Sequence, residues 1–311
     1  MSEATMKLPP APTVSIGRKQ YWYSWNRIAP YVFISPFFAL FAVFGAFPIL
    51  FSLWISFMNW KGVRGGEFIG LENYTRLFAD PNFHIALTNT LILGFAYIPL
   101  MVVASLGLAS LLNRSMPLRS LYRIGYFLPV VTSMVVVGML FGFFFGSTYS
   151  PLALVFAMFG KEYHGLLGTA IYMKPVILIM LLWRYVGYNM MIMLAGLQSI
   201  PSELYDAGRI DGADGFQAFL YLTVPLMRRV IAFAAIISTI GMFNVFDEAY
   251  MIGGGGGGPE QAGLVTGVFV FREAFLNFKF GYAAAIAYTI ALIIVALSIL
   301  QIITSERTVS E

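Results

Sequence analysis

The chain has 311 residues, of which 59% are hydrophobic and 11% charged, with 19 basic and 15 acidic residues leaving a net charge of +4. A soluble domain carries about 25% charged residues, so this composition cannot cover a water-facing globule, and the basic excess is too small to indicate a nucleic-acid partner. Zero cysteines exclude disulfides, thiolate metal sites and cysteine nucleophiles.

The charges fall in short clusters. Between Arg27 and Lys61 there are 33 residues without Asp, Glu, Lys or Arg, and between Lys279 and Glu306 there are 26. About 20 apolar residues cross a hydrocarbon core as helix. In chain order, a tail over residues 1–27 leads to a first span at about Ile28 to Phe57. Further spans are expected at about Ile85 to Leu112, Leu121 to Gly146, Pro175 to Leu197, Val230 to Ile252 and Gly281 to Thr304, before a tail over residues 305–311. Backbone groups in lipid need internal partners, so each span is expected as an α-helix. The fold class is all-α: a polytopic membrane protein with six transmembrane helices over residues 28–304 and no separate soluble domain. The first apolar run is too long for the h-region of a cleaved signal peptide and is expected to stay in the membrane.

Pro36, Pro48, Pro99 and Pro129 are expected to kink helices rather than end them. Tyr21, Trp22, Tyr23 and Trp25 precede the first span, and Trp54 and Trp60 mark its far end, which is the pattern of an interfacial aromatic belt. Polar connections run from Lys61 to Asp80 and from Ser147 to Lys174. The Gly253–Gly258 run reads as a flexible loop. His84 and His164, far apart in sequence, read as loop residues rather than members of a metal site, which gathers three or four such groups. With the N-terminus cytoplasmic, 11 basic residues fall inside and seven outside. That is the sense of the positive-inside rule, and both termini are expected in the cytoplasm.

Catalytic and energy-coupling motifs are absent. There is no G-x-x-x-x-G-K-[ST] loop, since the six glycines are followed by Pro259 and Glu260, and no H-E-x-x-H or G-x-S-x-G. An enzyme is not expected, and neither a metal nor a cofactor belongs to this chain.

The segment IPSELYDAGRIDGADGFQAFLYLTVPLMRR, Ile200 to Arg229, is the most informative. Ser202 can cap a helix with Glu203 and Asp206 in its first turn, favourable to the dipole. Leu204, Ala207 and Ile210 form a narrow apolar stripe, and Gly212 suits a sharp turn into a second helix. The expected shape is a bent knob on the cytoplasmic surface, or more plainly an interfacial helical hairpin. The segment resembles the EAA loop of ABC-importer membrane subunits, whose pattern is EAA, three residues, Gly, nine residues, then I-x-L-P. Here Asp206-Ala207-Gly208 is followed by three residues, Gly212, nine residues and Leu222-Thr223-Val224-Pro225. Asp replaces Glu and Gly replaces the second Ala. EFIGLENYTRLF, AGLQSIPSELYDA, FNVFDEAYMI and FGYAAAIA extend the resemblance to carbohydrate-type permeases of the maltose-importer kind, from about Pro36 to Gln301.

The resemblance implies a type I ABC importer permease fold. It also implies a set of partners: a second permease subunit, two ATPase subunits that bind ATP and Mg, an extracytoplasmic solute-binding protein and a sugar. Asp206, Ala207, Gly208 and Gly212 would contact an ATPase within a coupling loop at about 200–225, with Glu203 and Arg209 at the rim of that contact. The same resemblance places substrate contacts on the segment holding Asn244.

From the residues themselves, Asp247 and Glu248 join Asn244 in the outer half of the fifth span. If spans four and five pack together, these lie near Trp183, Tyr188 and Asn189. Tyr188 and Asn189 are expected to line the path. Arg184, mid-span, either faces the path or partners backbone carbonyls or an acid. Rival readings are an ion-coupled secondary transporter, a membrane scaffold, and a permease for another polar solute such as a glycerol phosphate.

Overall fold

The computed structural model describes residues 19–62, 65–114, 116–146, 149–163 and 165–310. Lys7, Arg18, Arg64, His164 and the start of the Ser147 connection lie outside the described residues. The chain forms two compact units, one up to Ser52 and one from Leu53 onward. In the first, α1 (Lys19–Phe41) runs through Pro30 and Pro36 and a π-helical turn, Ala42–Ala46, leads into α2 (Phe47–Ile55). Pro48 lies directly after that turn, in which the Phe47 N–H bonds to the Ala42 carbonyl five residues back, and the helix continues through it.

The second unit opens with a short antiparallel hairpin, β1 (Met58–Asn59) and β2 (Glu67–Phe68), in which Met58 faces Phe68. In α3 (Glu72–Ala79) the buried Asn73 amide donates to the carbonyls of Ser56 and Met58 at 2.8 and 2.9 Å. Next comes α4 (Pro81–Asn113). Its start is encoded locally: the Asp80 carboxylate accepts from the Asn82 N–H at 2.9 Å, and Pro81 occupies the first turn. The helix continues through Pro99 as expected. His84 sits in its first turn and not in a loop, with Nε2 2.8 Å from the Phe78 carbonyl oxygen.

The third expected span is interrupted. It divides into α5 (Arg119–Val131) and α6 (Met134–Gly146), because the chain at Thr132 is extended. Pro129 therefore ends a helix within three residues. The Thr132 N–H bonds to the Pro129 carbonyl at 3.3 Å, and its hydroxyl donates to the Leu128 carbonyl at 2.9 Å in place of the lost helical N–H. A short helix, α7 (Pro151–Met158), follows, capped by the Ser150 hydroxyl.

Helix α8 (Ala170–Gln198) is the central element, packed along α4 and α5. Its buried Gly187 lies against α5 so closely that a Cβ would fall on the Tyr126 carbonyl oxygen. Alanine is the better helix former by about 1 kcal/mol, but overpacking of this kind costs about 1–3 kcal/mol, and backbone cannot swing aside. Gly187→Ala is expected to lower the thermal unfolding midpoint of the detergent-solubilised subunit. An unchanged or higher midpoint would show that the two helices can separate freely.

Beyond α8 come α9 (Ser202–Ile210), α10 (Gly215–Ala218), a π-helical turn at Phe219–Thr223, α11 (Val224–Leu226) and α12 (Arg228–Phe243). Gly215–Leu226 meets α12 at 69°. The span expected to reach Ile252 stops at Phe243. After Asn244 the chain breaks and then forms α13 (Asp247–Gly253), a 3₁₀ turn at Pro259–Gln261, α14 (Thr266–Phe271) and the long α15 (Phe280–Ser310). Among the described residues, five stretches are long and apolar enough to cross a membrane: Arg27–Ile55, Pro81–Asn113, Met134–Met158, Ala170–Gln198 and Phe280–Ser305. The bent pair makes a sixth if it is one span.

The glycine run is packed rather than loose. Gly257 is buried with φ +79°, and side chains there or at Gly258 would meet Leu264 and Met173. Glycine lets these neighbours close on bare backbone. The connection is tied to α4 by the Asn89 amide, which donates to the Gln261 and Leu264 carbonyls, both at 3.0 Å. In the π-helical turn Arg272–Leu276, the buried Glu273 carboxylate is matched by Lys279 at 3.1 Å, Arg272 at 3.6 Å and the Asn277 amide at 2.8 Å.

Candidate functional site

Two regions concentrate polar groups where the chain's regular structure breaks. The first is the knob built on α9. The helix begins at Ser202 itself, without the side-chain cap expected from that residue, and only Glu203 lies in its first turn. Its end follows directly from Gly212, at φ +84°: the Gly212 N–H reaches the Arg209 carbonyl at 3.1 Å and the Ala213 N–H reaches that of Gly208 at 2.8 Å. This is a Schellman turn, with glycine at the left-handed position. Tyr205 and Gly208, three apart, face inward. The Tyr205 hydroxyl lies 3.1 Å from Thr223 Oγ1, and Gly208 is buried where any Cβ would strike Leu222. Glycine in place of the second alanine of the EAA pattern thus has a local reason.

The apolar stripe read from the sequence points outward. Leu204, Ala207 and Ile210 are exposed, Ile210 by 87%, together with Glu203, Asp206 and Arg209. Phe216 and Tyr221 add exposed apolar surface at 73% and 75%. Arg209 pairs with Asp206 at 3.0 Å, an exposed bond contributing about 0–1 kcal/mol. The six residues expected to form one contact therefore divide. Glu203, Asp206, Ala207 and Arg209 are displayed, whereas Gly208 and Gly212 shape the helix that displays them.

The second region is a cavity of about 360 Å³ between α4, α8 and the break after α12. Asn244, Asp247 and Tyr188 all line it, beside Tyr97, Tyr185 and Glu248. Asn244 is the residue at which α12 ends, and its amide donates to the Ile240 carbonyl at 2.8 Å. Asp247 opens α13 and is exposed. Both residues flank the break, where the chain passes from α12 to α13. The size falls within the range of small-molecule sites, about 300–1,000 Å³. Three tyrosine rings, an amide and a carboxylate suit a polyhydroxylated solute.

Three of the residues considered for the path lie outside this cavity. Asn189 is buried one residue past Tyr188 on a different helical face, donating to the Tyr185 carbonyl at 3.2 Å, and it does not line the cavity. Arg184 does not line it either. Trp183 lines a separate groove on the α5 side. Arg184 is instead a partner to both groups that the sequence left open. Its Nε lies 3.6 Å from the Glu248 carboxylate and its Nη1 donates to the Thr132 carbonyl at 3.3 Å. Glu248 also accepts from the Tyr185 hydroxyl at 2.8 Å. One largely enclosed guanidinium therefore joins the break between α5 and α6 to the first turn of α13. Tyr185 was missed in the sequence, although its spacing of three from Tyr188 puts both on one helix face. Tyr97, from distant α4, carried no sequence signal.

A model of the family described as the binding-protein-dependent transport system inner membrane component matches residues 101–308. The lactose transport system permease protein LacF of Rhizobium radiobacter is 36% identical over 275 residues, covering 87% of this chain and 92% of that protein. The arabinooligosaccharides transport system permease protein AraP of Bacillus subtilis is 32% identical over 297 residues, covering 94% and 93%. Among solved structures, a chain of a bacterial alginate ABC transporter, crystallised with an alginate pentasaccharide-bound periplasmic protein, shares the fold. Its TM-score is 0.80 at 20% identity, over 94% of this chain and 99% of that one. The helical bundle, the knob with its EAA spacing and these matches lead to one conclusion: the chain belongs to the binding-protein-dependent transport system inner membrane components, and is a membrane-spanning permease subunit of an ABC importer.

Proposed function

We propose that this permease carries a sugar or oligosaccharide, delivered by an extracytoplasmic solute-binding protein, through a path that includes the α8–α12 cavity. The observation that carries the reading is the set of Tyr97, Tyr185, Tyr188, Asn244 and Asp247 around one cavity. Aromatic faces match the apolar faces of sugar rings, and the amide and carboxylate accept or donate to hydroxyls. The names of its lactose and arabinooligosaccharide relatives point the same way. The Asp247 carboxylate disfavours a phosphate-bearing solute such as a glycerol phosphate, since like charges in a partly desolvated site repel.

In this reading both termini and the α9 knob face the cytoplasm, and the exposed face of α9 seats in one of two ATPase subunits. ATP and Mg are bound there and not on this chain. A second permease subunit completes the path. The physical need is a rigid lever whose two positions an ATPase can bias, because coupling is a free-energy difference between global states. The Schellman turn at Gly212 and the Gly208–Leu222 contact supply that rigidity.

Asn244→Leu is expected to reduce sugar uptake at limiting substrate by about tenfold, the effect of about 1.4 kcal/mol, in vesicles holding the assembled importer. Assembly with the ATPases should be unchanged, because among the described residues the Asn244 side chain bonds only to the Ile240 carbonyl of α12. Unaltered uptake would remove Asn244 from the path.

A further inference from the structure

A groove of about 360 Å³ lies between α5 and α8, lined by Leu121, Tyr122, Gly125, Tyr126, Trp183 and their neighbours. It is separate from the cavity that holds Asn244. Arg119 and Arg123 begin the same helix, one turn apart and close in register to Tyr122 and Tyr126, so the basic pair sits at one end of the aromatic groove. Helices α5 and α8 run antiparallel, since Tyr126 meets Gly187 while Arg119 and Arg123 meet Gln198. With the Gln198 amide oxygen turned toward them, both guanidinium groups donate to that single oxygen, Arg119 at 2.9 Å and Arg123 at 3.1 Å.

This arrangement is unfavourable as it stands. Two cations at spacing i, i+4 repel, and both oppose the positive end of the α5 dipole. Neither forms an ion pair among the described residues, and the Nε of each is buried without an acceptor. A neutral amide cannot balance two charges, so an anion is called for. The groove says what else that anion carries. From Tyr122 to Pro129 it extends about 10 Å along the helix, at 1.5 Å per residue, with aromatic and apolar walls and an open floor at Gly125, where a side chain would meet nothing within 4 Å. An anionic head joined to an apolar tail is a phospholipid, and basic pockets between transmembrane helices suit such headgroups.

We propose that the α5–α8 groove is a binding site for an anionic phospholipid of the surrounding bilayer, its phosphate on Arg119 and Arg123 and an acyl chain along Tyr122, Tyr126 and Trp183. The lipid would brace α5 against α8 just where Thr132 interrupts the third span. The site is independent of which solute the importer carries.

The test uses the assembled importer in nanodiscs of phosphatidylcholine with and without phosphatidylglycerol, followed by release into the gas phase for native mass spectrometry. Wild type is expected to retain phosphatidylglycerol from the mixed discs and to unfold at higher temperature in them. Arg119→Gln/Arg123→Gln should lose at least nine-tenths of the retained lipid and the thermal shift. Gly125→Leu, which fills open space without touching the arginines, should lose the lipid while the complex stays folded. Equal retention in both variants would overturn the proposal. So would reproduction of the thermal shift by inorganic phosphate alone, which needs no groove. Loss of the ATPase or of the second permease from the double variant, with lipid retention by Gly125→Leu unchanged, would also overturn it and assign the pair to a protein interface.

Discussion

Arg184→Met is expected to be the most damaging single substitution in the bundle. It leaves the Glu248 carboxylate, whose side chain is 5% exposed, without its cation. Removing one partner of a buried ion pair costs about 3–5 kcal/mol, a large share of a total stability of about 5–15 kcal/mol. The loss is not local, because the same guanidinium also holds the Thr132 carbonyl. Thermal unfolding of the assembled importer should show a clear drop. The double variant Arg184→Met/Glu248→Gln should recover most of it, since a neutral amide can keep the bond from Tyr185. A single variant within about 0.5 kcal/mol of wild type, the range of ordinary surface substitutions, would show that the pair does not hold α13 to the break between α5 and α6.

Ala207→Arg tests coupling in a different way. Ala207 is exposed on α9, on the face opposite Tyr205 and Gly208, so a long side chain disturbs no contact within the subunit. The subunit should insert and unfold as wild type does. Substrate-stimulated ATP hydrolysis by the assembled importer is expected to fall at least tenfold, equivalent to about 1.4 kcal/mol of lost coupling. Hydrolysis at the wild-type rate would show that the exposed face of α9 seats in no ATPase. The comparison with Gly187→Ala separates the two classes of damage: one lowers stability without touching the knob, and the other spares stability and removes communication.

Much of the site was legible because its signals are local. The Asp206 to Pro225 spacing identifies the knob, and Gly212 acts through its own φ, within one turn of chain. Asn244 and Asp247 were legible as polar residues near the end of an apolar span. What escaped was the break between them. The helix stops at Asn244, and a lone asparagine without glycine or proline beside it is a weak stop signal. On α9, Gly208 was placed in the contact with Ala207, but Gly208 and Tyr205 take the inner position because Leu222 and Thr223 return from 14 or more residues later. The glycine run seemed free for the opposite reason: bare backbone gives no clue that Leu264 and Met173 will close over it.

The amino-acid sequence alone determined that this protein lives in a bilayer, roughly where it crosses, and which segment carries the EAA-like spacing. Those properties depend on hydropathy, spacing and backbone freedom, each confined to a short stretch. The folded structure alone decided that Arg184 binds Glu248 and Thr132 rather than lining the cavity, that Asn189 is buried, and that Tyr97 joins the cavity. Such pairings arise between helices far apart in the chain, where the register of one helix on another chooses a side chain's neighbours and local pattern does not.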